Sequence, residues 1–115
     1  MRMMTNHIGE ARIKVPGRIT RGETIVVNSI ISHPMDTGFF RNADGDPIPA
    51  YFIKEVVVTY GEQEVARFEW TSGISRDPVV SFTVKADKEA PLTMVWTDNK
   101  GAAFKQSVGI SFASA

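Results

Sequence analysis

The sequence predicts an all-β sandwich, and three observations carry that prediction. Apolar residues recur with period two along most of the 115-residue chain, the spacing of strands with one buried face. No segment carries apolar residues at helical spacing over a useful length. Turn signals rich in Gly, Pro, Asn and Asp separate the apolar runs at short, regular intervals.

Taken in order, Ala11, Ile13 and Val15 alternate with Arg12 and Lys14, and Pro16-Gly17 ends that first strand. Arg21-Gly22 turns the chain into Glu23 to Ser32, a segment dense in Ile and Val. That density predicts a central strand buried on both faces. Ile53 to Tyr60 is β-branched, Gly61-Glu62 supplies a tight turn, and Ala66, Phe68 and Trp70 share one face of the return strand. Val80, Phe82, Val84 and Ala86 mark the next strand, and Leu92, Met94 and Trp96 the one after. Asp98-Asn99-Lys100-Gly101 is a hairpin turn with Gly101 suited to its left-handed position. Phe104, Val108, Ile110 and Phe112 share one face of the last strand. About seven strands in a chain of this length fit an immunoglobulin-like sandwich. Residues 1–10 are expected to be a flexible tail and 11–115 a single domain.

Composition narrows the function classes. Hydrophobic residues make up 43% and charged residues 23%, an ordinary globular balance. A chain this long buries roughly two-thirds of its unfolded surface, enough for a core without staples. Thirteen basic residues offset thirteen acidic ones, so there is no surplus cation to displace counterions from nucleic acid or to hold an anionic membrane. With no cysteine, thiol catalysis, disulfides and Cys-ligated metal are excluded. The start, Met1-Arg-Met-Met-Thr-Asn-His, lacks the apolar core of a signal peptide, which by itself points to the cytoplasm.

One segment interrupts the alternation. His33 to Ala50 holds three prolines, two glycines and the adjacent aromatics Phe39 and Phe40. Irregular loops beyond about 12–15 residues are uncommon in compact domains and are often functional, so function is sought here. His33 and Met35 are copper-type ligand chemistry, but a blue-copper centre needs a thiolate and a second histidine, and only His7 in the tail remains. The simpler expectation is that His33 bonds to loop backbone and Met35 packs beneath it. Asn42, Asp44 and Gly45 partly match a calcium loop, yet Phe40 and Tyr51 would then fall at ligand positions; Asp44-Gly45 reads as a turn. Ser75 lacks the second glycine and the strand-to-helix setting of a nucleophile elbow. Phe39, Phe40, Tyr51 and Phe52 form either an interface hot spot or a small inward cluster.

The same loop carries a family resemblance. His33-Pro34-Met35-Asp36-Thr37-Gly38, followed by Arg41, Gly45, Ile48 and Pro49, resembles the signature loop of the SoxZ family. Val58-Thr59-Tyr60 with Glu64-Val65, Ile74-Ser75-Arg76-Asp77-Pro78, and Trp96-Thr97-Asp98 with Gly101 resemble further family motifs in register. The likeness runs from about Ala11 to Phe112. The chain departs from the family pattern at Asp36 (usually Glu), Phe40 (often basic), Asn42 (often Asp), Arg76 (usually small) and Val79 (usually Tyr).

The resemblance implies a non-catalytic subunit of the SoxYZ carrier complex of sulfur (thiosulfate) oxidation, with an immunoglobulin-like fold and no cofactor or metal of its own. The implied partner is SoxY, whose cysteine near its C-terminus carries the sulfur intermediate on a flexible arm. Transient contacts with SoxAX, SoxB and Sox(CD) follow, as does a periplasmic location reached by export alongside a signal-bearing SoxY. That location displaces the cytoplasmic reading of the N-terminus. His33, Met35, Phe39, Phe40, Arg41, Tyr51 and Phe52 are the candidate interface residues. Edge strands lacking a natural partner offer a second copy of the isolated chain a place to pair, and the sequence leaves its oligomeric state open. The competing readings are a freestanding binding module for a small ligand or polysaccharide, and a metal-dependent oxidoreductase using His33.

Overall fold

A computed structural model describes residues 8–39, 41–71, 73–74 and 77–113. Seven strands follow one another: β1 (Ala11–Lys14), β2 (Glu23–Ile31), β3 (Ile53–Tyr60), β4 (Gln63–Glu69), β5 (Val79–Ala86), β6 (Ala90–Asp98) and β7 (Ala103–Ile110). They form two antiparallel sheets, one ordered β1-β2-β5 and the other β4-β3-β6-β7. Among the described residues there is no helix. The predicted all-β sandwich is therefore the observed one. Strand periodicity located every element because a half-buried strand exposes alternate side chains to water.

The core lies between the two sheets. Ile25, Val27 and Ile31 of β2 face Val56, Val58, Leu92, Met94 and Trp96 of β3 and β6, and all are essentially removed from solvent. Each such aliphatic side chain contributes about 1.5–3 kcal/mol by leaving water. Phe68, Trp70, Phe82, Phe104, Val108 and Phe112 pack half-buried around that centre. Ser29 is the polar exception on the inward face of β2, and its hydroxyl donates to Val80 O at 3.2 Å. One side of the sandwich closes where β1 lies against β7. Across the other side the Phe68 and Phe82 rings meet, with centroids 6.1 Å apart.

The reading of β2 needs correction. From Thr24 to Ile31 its side chains alternate exposed and buried, with Val26 50% and Ile30 41% exposed on the outer face. A strand buried on both faces needs a layer on each side. This sandwich has only two layers, so β2 is covered on one face although it is central in its sheet.

The antiparallel directions bring five chain segments to one end of the sandwich. The ends of β2 and β6 and the starts of β3, β5 and β7 meet there. The long loop leaves β2 at that end and returns into β3.

Candidate partner-binding site

A buried polar knot anchors the loop. His33 and Asp98 side chains are both fully buried, and Nε2 of His33 lies 3.2 Å from Oδ2 of Asp98. The other ring nitrogen, Nδ1, lies 2.6 Å from Pro34 O. Both ring nitrogens thus lie within hydrogen-bond reach of an oxygen, one on the carboxylate and one on the backbone. Asp98 Oδ1 accepts from the backbone N–H groups of Lys100 and Ala102, each at 2.9 Å. One carboxylate therefore binds the histidine and shapes the β6–β7 turn.

The backbone of His33 is held as well. Its N–H donates to Asp77 Oδ1 at 2.9 Å, while Asp77 N–H donates back to His33 O at 3.1 Å. Asp77 takes up a positive φ of 51°, a conformation that Asp tolerates better than most side chains. The His33 ring meets Tyr51 edge-on at 4.5 Å between centroids and Phe104 at 5.8 Å. Burial, reinforced by the nearby charge of Asp98, holds the Tyr51 phenol above its usual pKa. Lys100 Nζ sits 3.9 Å from the Tyr51 ring centroid, as a cation–π contact requires.

Above this base the loop folds on itself. Asp36 and Tyr51 exchange two backbone hydrogen bonds, at 2.8 and 3.1 Å. A second bridge joins Arg41 to Pro47, and Arg41 Nη1 donates to Gly45 O at 2.7 Å. Asn42 Oδ1 accepts from Asp44 N–H and Asp46 N–H at 2.9 and 3.1 Å, while Gly45 N–H reaches Asn42 O at 3.0 Å. This is the expected Asp44-Gly45 turn, with Gly45 at a φ of 83°. Asn99 clamps the returning strand: its side chain accepts from Phe52 N–H and donates to Ala50 O, both at 2.9 Å. The loop is a small ordered excursion with its own bridges, which its proline and glycine content concealed.

The seven candidate residues separate by depth. His33 and Met35 are buried, and Met35 Sδ accepts from Ile53 N–H at 3.4 Å. They support the loop from beneath, as the simpler expectation had it. Tyr51 and Phe52 are half-buried at its base, and Arg41 is exposed. Phe39 stands out at 88% exposed. Phe40 lies outside the described residues, as do Ser75 and Arg76. Sequence reasoning missed Asp77, Asp98 and Asn99 as partners of the loop. The available signal was that a histidine in an apolar setting requires acceptors, but thirteen acidic residues could supply them.

Both ring nitrogens of His33 and the sulfur of Met35 are thus engaged by protein groups. Among the described residues no three His, Cys, Asp or Glu side chains group as metal ligands do. The fold and this end define an immunoglobulin-like sandwich whose ordered loop displays an aromatic residue to solvent. The particular family follows from sequence: the profile described as "Sulphur oxidation protein SoxZ" matches residues 13–109, and the chain belongs to that family. Its role accordingly lies in Sox sulfur oxidation, as a non-catalytic carrier subunit.

No curated protein matches the sequence. Solved structures share the fold. The sulfur carrier protein SoxY from Chlorobium limicola f thiosulfatophilum is similar at a TM-score of 0.63 and 18% identity, over 90% of this chain and 79% of that one. Superoxide reductase (neelaredoxin) from Ignicoccus hospitalis is similar at 0.67 and 17%, over 90% and 80%. A putative superoxide reductase from Thermotoga maritima is similar at 0.69 and 14%, over 99% and 100%. At these identities the likeness is one of fold and carries no activity.

Proposed function

We propose that this chain pairs with SoxY and helps present SoxY's cysteine-bound sulfur intermediate to the Sox enzymes that act on it. Membership of the SoxZ family supports the pairing. The absence of cysteine here is consistent with the covalent attachment residing on the partner. A scaffold beside such an adduct benefits from having no thiolate, because thiolates attack sulfur–sulfur bonds. The periplasm is the proposed compartment, reached together with SoxY.

One observation above the others supports a docking role for the loop end. Phe39 is 88% exposed between the two bridges of a loop whose base is tied to the sandwich through His33, Asp77 and Asp98. Exposed aromatics on preordered backbone are the usual anchors of protein interfaces, because little entropy is lost when they are buried. Tyr51 and Phe52, half-buried at the base, and Arg41, exposed two residues on from Phe39, belong to the same loop end.

The test is titration of the SoxY-like protein from the same organism against the native chain and a Phe39→Ala variant. The variant is expected to bind about tenfold or more weakly, with the folded-state spectrum unchanged. Equal affinity removes Phe39 from the interface. Failure of the native chain to bind refutes the pairing.

A further inference from the structure

The outer face of the three-stranded sheet has no role in the account so far. Three of the six large apolar side chains most exposed among the described residues lie on it: Val26 at 50%, Ile30 at 41% and Val79 at 64%. The β2–β5 register places Ile30 directly opposite Val79, with Val26 four residues away on the same face. Arg12 of β1 flanks Ile30 from the other side. An open recess of about 270 Å³ lies over this face, lined by Arg12, Lys14, Asn28, Ser29, Ile30 and Val79. A single exposed valine in a strand is unremarkable. Here Ile30 and Val79 form an adjoining apolar pair beside a recess, and Val26 lies beyond the hydrogen-bonded Asn28–Ser81 pair on the same face; paired apolar exposure at a recess marks an interaction surface.

Charge narrows the occupant. The outward positions of these three strands carry Arg12, Lys14 and Lys85 and no carboxylate. On the outer face of the other sheet the cation Arg67 is balanced by Glu55 and Glu64 at 2.5 and 2.7 Å. A second copy meeting this face across a two-fold axis would set its cations against the same cations. The complementary partner presents an apolar strip bordered by carboxylates.

We infer that the outer face of β1-β2-β5, centred on Ile30 and Val79, is the seat of the stably bound partner subunit, which meets it with an apolar strip rimmed by acidic residues. The inference rests on the proposed pairing with SoxY and assigns that pairing a second, flatter surface besides the loop around Phe39. The two adjoin, since Ile30 and Val79 lie at the end of the sandwich from which the loop departs. One partner can therefore cover both. Permanent interfaces are more apolar than transient ones, and Ile30 and Val79 supply exposed apolar surface at this face.

The test uses the full chain and the SoxY-like partner, with affinity read by titration and self-association by sedimentation. An Ile30→Thr/Val79→Thr double variant keeps β-branched side chains in both strands and puts hydroxyls into the patch. A Lys14→Glu/Lys85→Glu variant reverses the rim without touching the apolar centre. Each is expected to weaken partner binding about tenfold or more, and added salt to weaken native binding. Folded variants that bind the partner as tightly as the native chain overturn the inference while leaving the pairing intact. A native chain that binds no partner overturns the pairing and the inference with it. A native homodimer that the threonine variant disrupts, with partner binding unaffected, assigns the face to a second copy and also overturns it.

Discussion

Replacing Asp98 probes how the loop is held. In Asp98→Ala three acceptor contacts vanish together: the one to His33 Nε2 at 3.2 Å and those to Lys100 and Ala102 N–H at 2.9 Å. The two turn amides sit beside exposed residues and regain water. His33 is fully buried and does not. Leaving a buried polar group without its partner costs about 1–3 kcal/mol, and each of the two turn hydrogen bonds about 0.5–1.5 kcal/mol more. A domain of this size has about 5–15 kcal/mol in total, so the variant loses a large share of its stability. Asp98→Asn is the decisive contrast. Its carbonyl still accepts from the two turn amides, and its NH₂ donates to Nε2 of a neutral His33 that keeps its proton on Nδ1 toward Pro34 O. That exchange costs about 1 kcal/mol, the order of a single net hydrogen bond. Urea unfolding at neutral pH, followed by tryptophan fluorescence, measures both. The expected order is native, Asn, Ala, with the Ala variant about 2 kcal/mol or more below native in unfolding free energy. An Ala variant within about 1 kcal/mol of native would show that the buried pair does not hold the loop, and the reasoning fails.

Gly38 has a φ of 87°, and a Cβ there would lie 3.3 Å from both Ala50 Cβ and Ala50 N. Gly38→Ala should therefore destabilise the domain by about 1–2 kcal/mol, measured as a shift in the urea midpoint at constant slope. Arg67 holds the Glu64 carboxyl below its usual pKa, mainly through their hydrogen bond. The pair's contribution is thus fully present above the ordinary carboxylate range and lost as pH falls through the lowered value; in Arg67→Ala, NMR titration should find Glu64 back at its ordinary value. Phe39→Ala should leave stability within about 0.5 kcal/mol, because a side chain 88% exposed supports little of the fold. A large loss on denaturation would place Phe39 in the packing instead. Fractionation of the native host should find the chain in the periplasm, and a cytoplasmic pool alone would remove the co-export reading.

Much of this fold was legible because strands with one wet face write their burial into alternate residues. Ile53–Tyr60 was read to the residue, and Asp98 to Gly101 was read as a turn. The error on β2 has the same origin: Val26 and Ile30 are apolar without being covered, and composition alone cannot distinguish a buried face from one kept for a partner. The loop was recognisable as irregular, and its bridges Asp36–Tyr51 and Arg41–Pro47 were not, since proline and glycine conceal pairing. The His33–Asp98 contact spans 65 residues of sequence; no local pattern encodes such a pair. The motifs resembling SoxZ did contain His33, Asp77 and Asp98 separately, and the structure brings these three together at one end of the sandwich.

The central claim is that this sandwich works as a bound subunit. Its most direct test is co-expression of the tagged chain with the SoxY-like protein of the same organism, followed by size-exclusion chromatography and intact mass. A stable one-to-one complex is the predicted result. A lone monomer eluting apart from a well-folded partner would contradict the claim and favour an independent binding module.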